Sequence, residues 1–390
     1  MKKSKLLSLI FVSSFSALLA DENYLSNTKN EILNYSYDKA IEDSDKLKND
    51  WINPITYQYI YSNTETYDTH KSYISISQPI FKSGGIYYAI KYAKSIQNET
   101  TVGIDLQKKE LIKQVVNLLF QIKKIDITIS KQKLLIKNAI LDVQRKKEQV
   151  LNGILDTSFL DNSILDANIQ RNTLIDLEYQ RDVFINNLST LSDKRYEELK
   201  APTLALTTDN LFLEKNIYIK QAEDEINTSY WLKNMITSNY LPTVNFTADY
   251  LKYHDSDDNP SLDEEGESSV GFNISIPLDI KYSNAIQSAK IEYLKNKTTL
   301  LDKKEDERII YKNVKAKISS INKKILISKN DIELYDSLVR QIKEQLEVGM
   351  KTPSDLETIQ NSSKIKILEI ESLNIEKQIE LLEIYSRIES

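Results

Sequence analysis

The sequence predicts a mainly α-helical chain made of two internal repeats, each giving two β-strands and a long α-helical coiled-coil hairpin, with strands of the kind that build a membrane β-barrel. Three observations carry this prediction. First, Val270, Phe272, Ile274 and Ile276 alternate with Gly271, Asn273 and Ser275, the period of two that puts one apolar face on a strand. Second, the period changes after Asp279: Ile310, Val314, Ile318, Ile321 and Ile325 recur at steps of four, four, three and four, the narrow seam of a coiled coil. No Pro or Gly interrupts Lys281 to Val348, a rod of roughly 100 Å at the α-helical rise. Third, the same order of elements and markers stands earlier in the chain. Pro79 and Pro277 end strands 198 residues apart, Gly153 and Gly349 break helices 196 apart, and Pro54 and Pro242 open strands 188 apart.

Taken in order, residues 1–20 read as a secretory signal peptide. Lys2, Lys3 and Lys5 precede the apolar run Leu6 to Leu19, and Ala17-Leu18-Leu19-Ala20 offers a cleavage site before Asp21. Its removal takes the net charge from −6 to −9 by loss of those three lysines. The first repeat, 21–201, opens with a helix from Asn23 to Asn49 that Trp51-Ile52-Asn53-Pro54 ends, because the residue before a proline is pushed out of helical conformation. Strands follow over about 51–61 and 72–81, then Lys82-Ser83-Gly84-Gly85, then a long helix from Ile86 to about Leu151. The hairpin tip lies at about 151–158, where Gly153 stops the helix and Thr157 or Ser158 caps the next one.

The second repeat, 202–390, begins irregularly, with a helix over about Leu211 to Ser238. Strands at about 241–253 and 268–278 flank an acidic loop, and the second tip falls at about 349–354. The last helix runs from Pro353 to the end, with proline in its favoured first turn.

Composition excludes several classes. The chain has no Cys, so thiolate zinc sites, thiol catalysis, disulfides and a lipid-modified cysteine anchor are all ruled out. A net charge of −6 with no basic block argues against nucleic acid. No convergent acid, base or nucleophile suggests an enzyme, and no cofactor is expected. His70 and His254 both fall beside predicted loops and read as isolated, solvated residues. The remaining metal option is oxygen ligation by Asp255, Asp257, Asp258 and Glu265, but that loop lacks the Gly and terminal Glu of a calcium loop and reads as outward-facing and soluble.

Four alternating strands of nine or ten residues match the height of a bilayer crossed at a tilt, and tyrosines gather at their ends (Tyr57, Tyr59, Tyr61, Tyr73, Tyr240, Tyr250 and Tyr253) as an interfacial girdle. An open sheet in lipid leaves its edge N–H and C=O groups unpaired at several kcal/mol each. Four strands cannot close, so the chain must oligomerise, and three copies supply twelve strands. The long helices are too charged to span lipid and must project from one side of the membrane.

These residues resemble the TolC-like outer-membrane efflux proteins over essentially the whole chain after residue 20. The resemblance rests on Ser77-Gln78-Pro79-Ile80-Phe81 with Gly84-Gly85, Tyr240-Leu241-Pro242-Thr243-Val244, Ser275-Ile276-Pro277-Leu278, Leu151-Asn152-Gly153 with Leu160, and Val348-Gly349-Met350-Lys351-Thr352-Pro353-Ser354-Asp355-Leu356. It implies a homotrimer with a twelve-stranded barrel above a periplasmic α-helical tunnel, set in the outer membrane of a Gram-negative bacterium. Such a trimer is a passive duct that receives substrates from a periplasmic adaptor and an inner-membrane pump, in a tripartite efflux pump or type I secretion system. A periplasmic coiled-coil adaptor or scaffold protein is the alternative, but an adaptor carries one hairpin between Gly-rich halves, and this chain has two hairpins and seven Gly.

By the same resemblance Asp355 stands in the carboxylate ring that constricts the periplasmic gate, and Lys351 is its latching base. Thr358 replaces the family's second carboxylate one turn on. Asp355 also sits where a helix cap is needed beside Pro353. Gly153 and Gly349 permit the tight reversals, and Ile154, Leu160, Met350 and Leu356 beside them form an apolar tip for adaptor docking.

Overall fold

The structure is a computed structural model of the chain and describes residues 24–63, 68–254 and 266–389. The expected signal peptide and the carboxylates Asp255, Asp257, Asp258 and Glu265 lie outside the described residues.

The chain runs α1 (Asn27–Asn49), β1 (Thr56–Asn63), β2 (Asp68–Phe81), α2 (Gly85–Leu151) and α3 (Thr157–Ser189). A 3₁₀ turn (Tyr196–Glu198) precedes α4 (Asp209–Glu214) and α5 (Ile217–Ser238). Then come β3 (Thr243–His254), β4 (Glu267–Ser275), α6 (Tyr282–Glu347) and α7 (Pro353–Tyr385). The long helices α2 and α6 have 67 and 66 residues, and each is followed by a helix of 33. Among the described residues no helix is long and apolar enough to cross a membrane.

Contacts divide the chain into two compact units, each drawing on both halves of the sequence. One holds the described residues of Met1–Ile32, Leu106–Ile217 and Glu305–Ser390; the other holds Leu33–Asp105 and Tyr218–Lys304.

The second unit contains the sheet, antiparallel throughout in the order β1-β2-β3-β4. Strand β1 starts later than the alternation predicts. The segment before it spends its polar groups on a side chain instead of a ladder: the Asn53 N–H donates to Gln78 Oε1 at 3.0 Å, and Gln78 Nε2 donates to the Trp51 carbonyl at 3.1 Å. Strand β2 starts earlier, at Asp68, because both neighbours reach that far, with Asn63 opposite Asp68 and His254 opposite His70. The register slips between Pro79 and Phe81, where a residue without an N–H cannot continue the ladder. Strand β4 stops at Ser275, short of Pro277, for the same reason. Beside the sheet Ser44 Oγ donates to the Ala93 carbonyl at 3.1 Å, joining α1 to α2, and Lys304 pairs with Glu223 at 3.2 Å, joining α6 to α5.

In the first unit the polar rungs run from α3 to α2, from α2 to α7 and from α7 to α6. Arg181 Nε donates to Asp126 at 2.6 Å, Lys113 pairs with Glu383 at 2.6 Å, and Lys366 pairs with Asp331 at 3.0 Å. Between these rungs Val115, Val116, Phe120 and Ile122 of α2 meet water hardly at all, as do Leu381 and Ile384 of α7. Burial of each such side chain is worth about 1.5–3 kcal/mol, so this apolar layer holds the unit together.

The α6 seam differs from the predicted one at its start. Glu307, Tyr311, Val314, Ile318, Ile321 and Ser328 are buried, whereas Ile310 is only half-buried. Their steps of four, three, four, three and seven are a true heptad, and its first member is a carboxylate that no apolar pattern reveals.

Two further expectations need correction. The helix predicted over 211–238 is broken at Lys215 and Asn216, and α7 stops at Tyr385 instead of running to the end. Both breaks have one cause. Ile217 N–H donates to the Arg387 carbonyl at 2.9 Å and Glu389 N–H to the Lys215 carbonyl at 2.7 Å, a small antiparallel bridge that neither segment could make as helix.

Candidate functional site at the hairpin tips

Both hairpins reverse through the same local chemistry. After α2 the Gly153 N–H donates to the Val150 carbonyl at 3.0 Å and the Ile154 N–H to the Gln149 carbonyl at 2.8 Å. After α6 the Gly349 N–H donates to Leu346 at 3.1 Å and the Met350 N–H to Gln345 at 2.8 Å. This is the Schellman arrangement, and it needs a left-handed residue where each glycine stands, at φ +70° and +75°. Three residues after each glycine a side chain caps the next helix. In the second tip that cap is Thr352, with Asp355, the cap expected from sequence, as its capping-box partner. In the first tip, however, the cap is Asp156, whose carboxylate accepts from the Ser158 N–H at 2.9 Å, not Thr157 or Ser158. A carboxylate is the better cap because it also meets the positive end of the helix dipole.

The predicted docking residues divide. Ile154 and Met350, each next to its glycine, are 68% and 76% exposed; Leu160 and Leu356, each seven residues past it, are half-buried. Leu151, Phe159 and Val348 are exposed as well and extend the apolar tips. Pattern reading missed them, although all three are large apolar residues in or beside the Gly-centred turns, and that was the available signal.

Asp355 is a capping-box residue. Its carboxylate accepts from the Thr352 N–H at 3.1 Å and from Thr352 Oγ1 at 2.9 Å, while its own N–H donates to Thr352 Oγ1 at 3.2 Å. The bond from the Thr352 backbone leads the effects that hold its carboxyl below the usual range, and the positive charges of Arg145 and Lys351 add to it. Arg145 lies on α2, in the other hairpin, and sequence order gave no reason to place it here. Above this point Lys137 pairs with Glu357 and Asn361 Nδ2 donates to Asn138 Oδ1 at 2.9 Å, tying α7 to α2 just behind the tips.

The other unit presents an unpartnered surface of its own. Cross-strand partners put Tyr57 with Ile74 and Tyr250, Ile76 with Ala248 and Val270, and Phe246 with Phe272 on one face. Ser77, Thr247, Gly271 and Asp249 stand on the other. On edge strand β4, Val270, Phe272 and Ile274 are 70–73% exposed, and Leu278 and Ile280 just beyond are almost fully so. Strands β1 and β4 each have one neighbour in the sheet.

Among the described residues no cluster of three or more His, Cys, Asp or Glu is placed to hold a metal ion. The two histidines, read from sequence as isolated, in fact stand opposite each other on β2 and β3.

No family model matches the chain, and no curated protein matches it in sequence. Solved structures do. The fold is similar to the outer membrane protein VceC from Vibrio cholerae, with a TM-score of 0.74 at 12% identity over 91% of this chain and 92% of that one. It is similar to the Campylobacter jejuni CmeC outer membrane channel, at 0.73 and 11% over 95% and 85% of the two chains. It is also similar to the open state of the Neisseria gonorrhoeae MtrE outer membrane channel, at 0.68 and 11% over 93% and 86%. These structural neighbours are TolC-family outer-membrane channels, and theirs is the fold of this chain.

Proposed function

We propose that the chain is the outer-membrane channel of a tripartite efflux pump or type I secretion system. As a homotrimer it is a passive duct, passing substrates received from an inner-membrane pump and a periplasmic adaptor through the periplasm and the outer membrane. One observation carries the reading: a four-stranded sheet with one apolar face, open at both edges. In water such an edge invites aggregation, and in lipid each unpaired backbone group costs several kcal/mol. A ring of copies joining β1 of one to β4 of the next satisfies every edge, and three copies give twelve strands. The helical layer supports the same ring. Its outer members α3 and α6 expose Ile169, Ile175, Tyr179, Ile327 and Leu334, apolar residues that a neighbouring copy would cover.

The absence of cysteine makes the test direct. With Tyr59→Cys on β1 and Phe272→Cys on β4, a bifunctional thiol reagent added to outer-membrane extracts should give covalent bands ending at three chains. A single-chain band only, from protein recovered in the water-soluble fraction, would overturn the proposal.

At the periplasmic entrance we assign gating to Asp355 and Lys351, with Arg145 as a second base. Three Asp355 carboxylates drawn together on the axis would attract divalent cations, against which each one's cap and basic neighbours work. Asp355→Asn should lower divalent-cation block in single-channel recordings several-fold, and unchanged block would leave Asp355 a helix cap alone.

A further inference from the structure

The chain's only two histidines lie far apart in sequence, yet the β2–β3 register sets His70 directly opposite His254. Directly opposed residues of an antiparallel pair project from the same face, with Cα atoms about 4.5–5.5 Å apart. One nitrogen of each ring is already held by a hydroxyl: Tyr59 Oη lies 2.9 Å from His70 Nδ1, and Ser72 Oγ lies 2.7 Å from His254 Nε2. The Tyr61 ring packs on His70 with centroids 4.8 Å apart, and the Tyr59 ring flanks both imidazoles at 6.0 and 6.1 Å. The rings are therefore braced, not free to swing.

A metal-bound imidazole needs this arrangement: one nitrogen on the metal, the other donating its N–H to an oxygen that fixes tautomer and orientation. With Nδ1 of His70 and Nε2 of His254 engaged, Nε2 of His70 and Nδ1 of His254 are the nitrogens left to bind. We propose that His70 and His254 form a cross-strand two-imidazole site for a borderline divalent cation, Zn²⁺, Ni²⁺ or Cu²⁺. Hard cations such as Mg²⁺ and Ca²⁺ are disfavoured because imidazole suits the borderline ions and, among the described residues, no carboxylate joins the two histidines in a cluster. Among the described residues, one charge of each sign stands on the same face, each two places along its strand. Lys252 stands two residues before His254, and Asp68 two before His70, its carboxylate already accepting from Tyr61 Oη at 3.1 Å and Asn63 Nδ2 at 2.6 Å. Strand β2 belongs to the first half of the sequence and β3 to the second, so a bound ion would clamp the junction between the halves. The site does not rest on the channel reading.

The test uses the full-length chain in detergent, purified without a histidine tag. Calorimetric titration with Zn²⁺ should find one site per chain, and Cu²⁺ added at one equivalent should show coupling to two imidazole nitrogens by electron paramagnetic resonance. His70→Asn or His254→Asn should weaken Zn²⁺ at least tenfold and reduce the Cu²⁺ spectrum to one nitrogen. A wild-type Cu²⁺ spectrum without two-nitrogen coupling overturns the proposal whether or not the variants assemble, and so does undiminished Zn²⁺ affinity in the double variant.

Discussion

Arg387→Ala is expected to cost about 3–5 kcal/mol of stability, the effect of stranding a buried charge. Glu307 is completely shielded from solvent, and its carboxylate is held by Arg387 at 2.8 Å and by Asn216 Nδ2 at 2.8 Å. Arg387 also grips Glu383 at 2.7 Å, and Glu383 in turn holds Lys113. The network thus pins the chain's last turn to α6, α2 and the break before α5. Removing Arg387 takes from the fully buried Glu307 carboxylate the guanidinium that holds it at 2.8 Å. Removing both charges, as in Glu307→Leu with Arg387→Met, should recover much of the loss, because an apolar pair of similar volume escapes the desolvation penalty. Denaturant midpoints of the three proteins check this; a double variant no better than Arg387→Ala would show that the ion pair is not the cause.

The network also has a pH signature. Burial works against the charged form of Glu383, but the bonds from Lys113 and Arg387 outweigh it and hold its pKa below the ordinary 4.5. A carboxyl lowered by folding stabilises the folded state above its unfolded pKa, and that contribution is lost as pH falls through the folded value. Part of the wild-type protein's stability should therefore disappear below about pH 4.5, and the Arg387→Ala variant should lose less there.

The second large effect is on transport. On the channel function proposed above, Ile154→Glu together with Met350→Glu is expected to abolish export while leaving trimers intact. Both side chains are exposed beside the tip glycines, so the charges meet no internal neighbour and the fold has no reason to fail. A partner gripping these tips would have to bury two carboxylates without a counter-charge, several kcal/mol that a contact of this size does not recover. The measurement is toxin or dye accumulation in cells, read beside trimer bands and cross-linking to the adaptor. Normal adaptor cross-linking in this variant would move the docking surface elsewhere. The half-buried Leu160 and Leu356 test the same idea differently, since charges there should lower stability before they touch docking.

Much of this was readable from residues alone where physics is local. A left-handed turn needs Gly153 and Gly349, a proline before the strand's end puts the irregularity of β2 after Pro79, and a long apolar period makes α2 and α6 long. The capping role of Asp355 follows from Thr352 three residues before it. What escaped was non-local. The break at Asn216 has no marker in its own neighbourhood, because its cause is the tail at Arg387 to Glu389. Glu307 reads as one more charge on a charged helix until Arg387 and Asn216 arrive from elsewhere to bury it. Arg145 sits near the end of α2, with nothing in the sequence to connect it to a carboxylate on the other hairpin.

By itself, then, the sequence determined element type, order and the glycine of each reversal, because dihedral preference and amphipathic period act over a few residues. Tertiary structure alone decided which distant residues share a place: the heptad that admits Glu307, the bridge that splits α4 from α5, and the pairing of His70 with His254. Strand register and helix packing set those neighbours, and both are chosen by summed burial over whole elements, which no short stretch encodes.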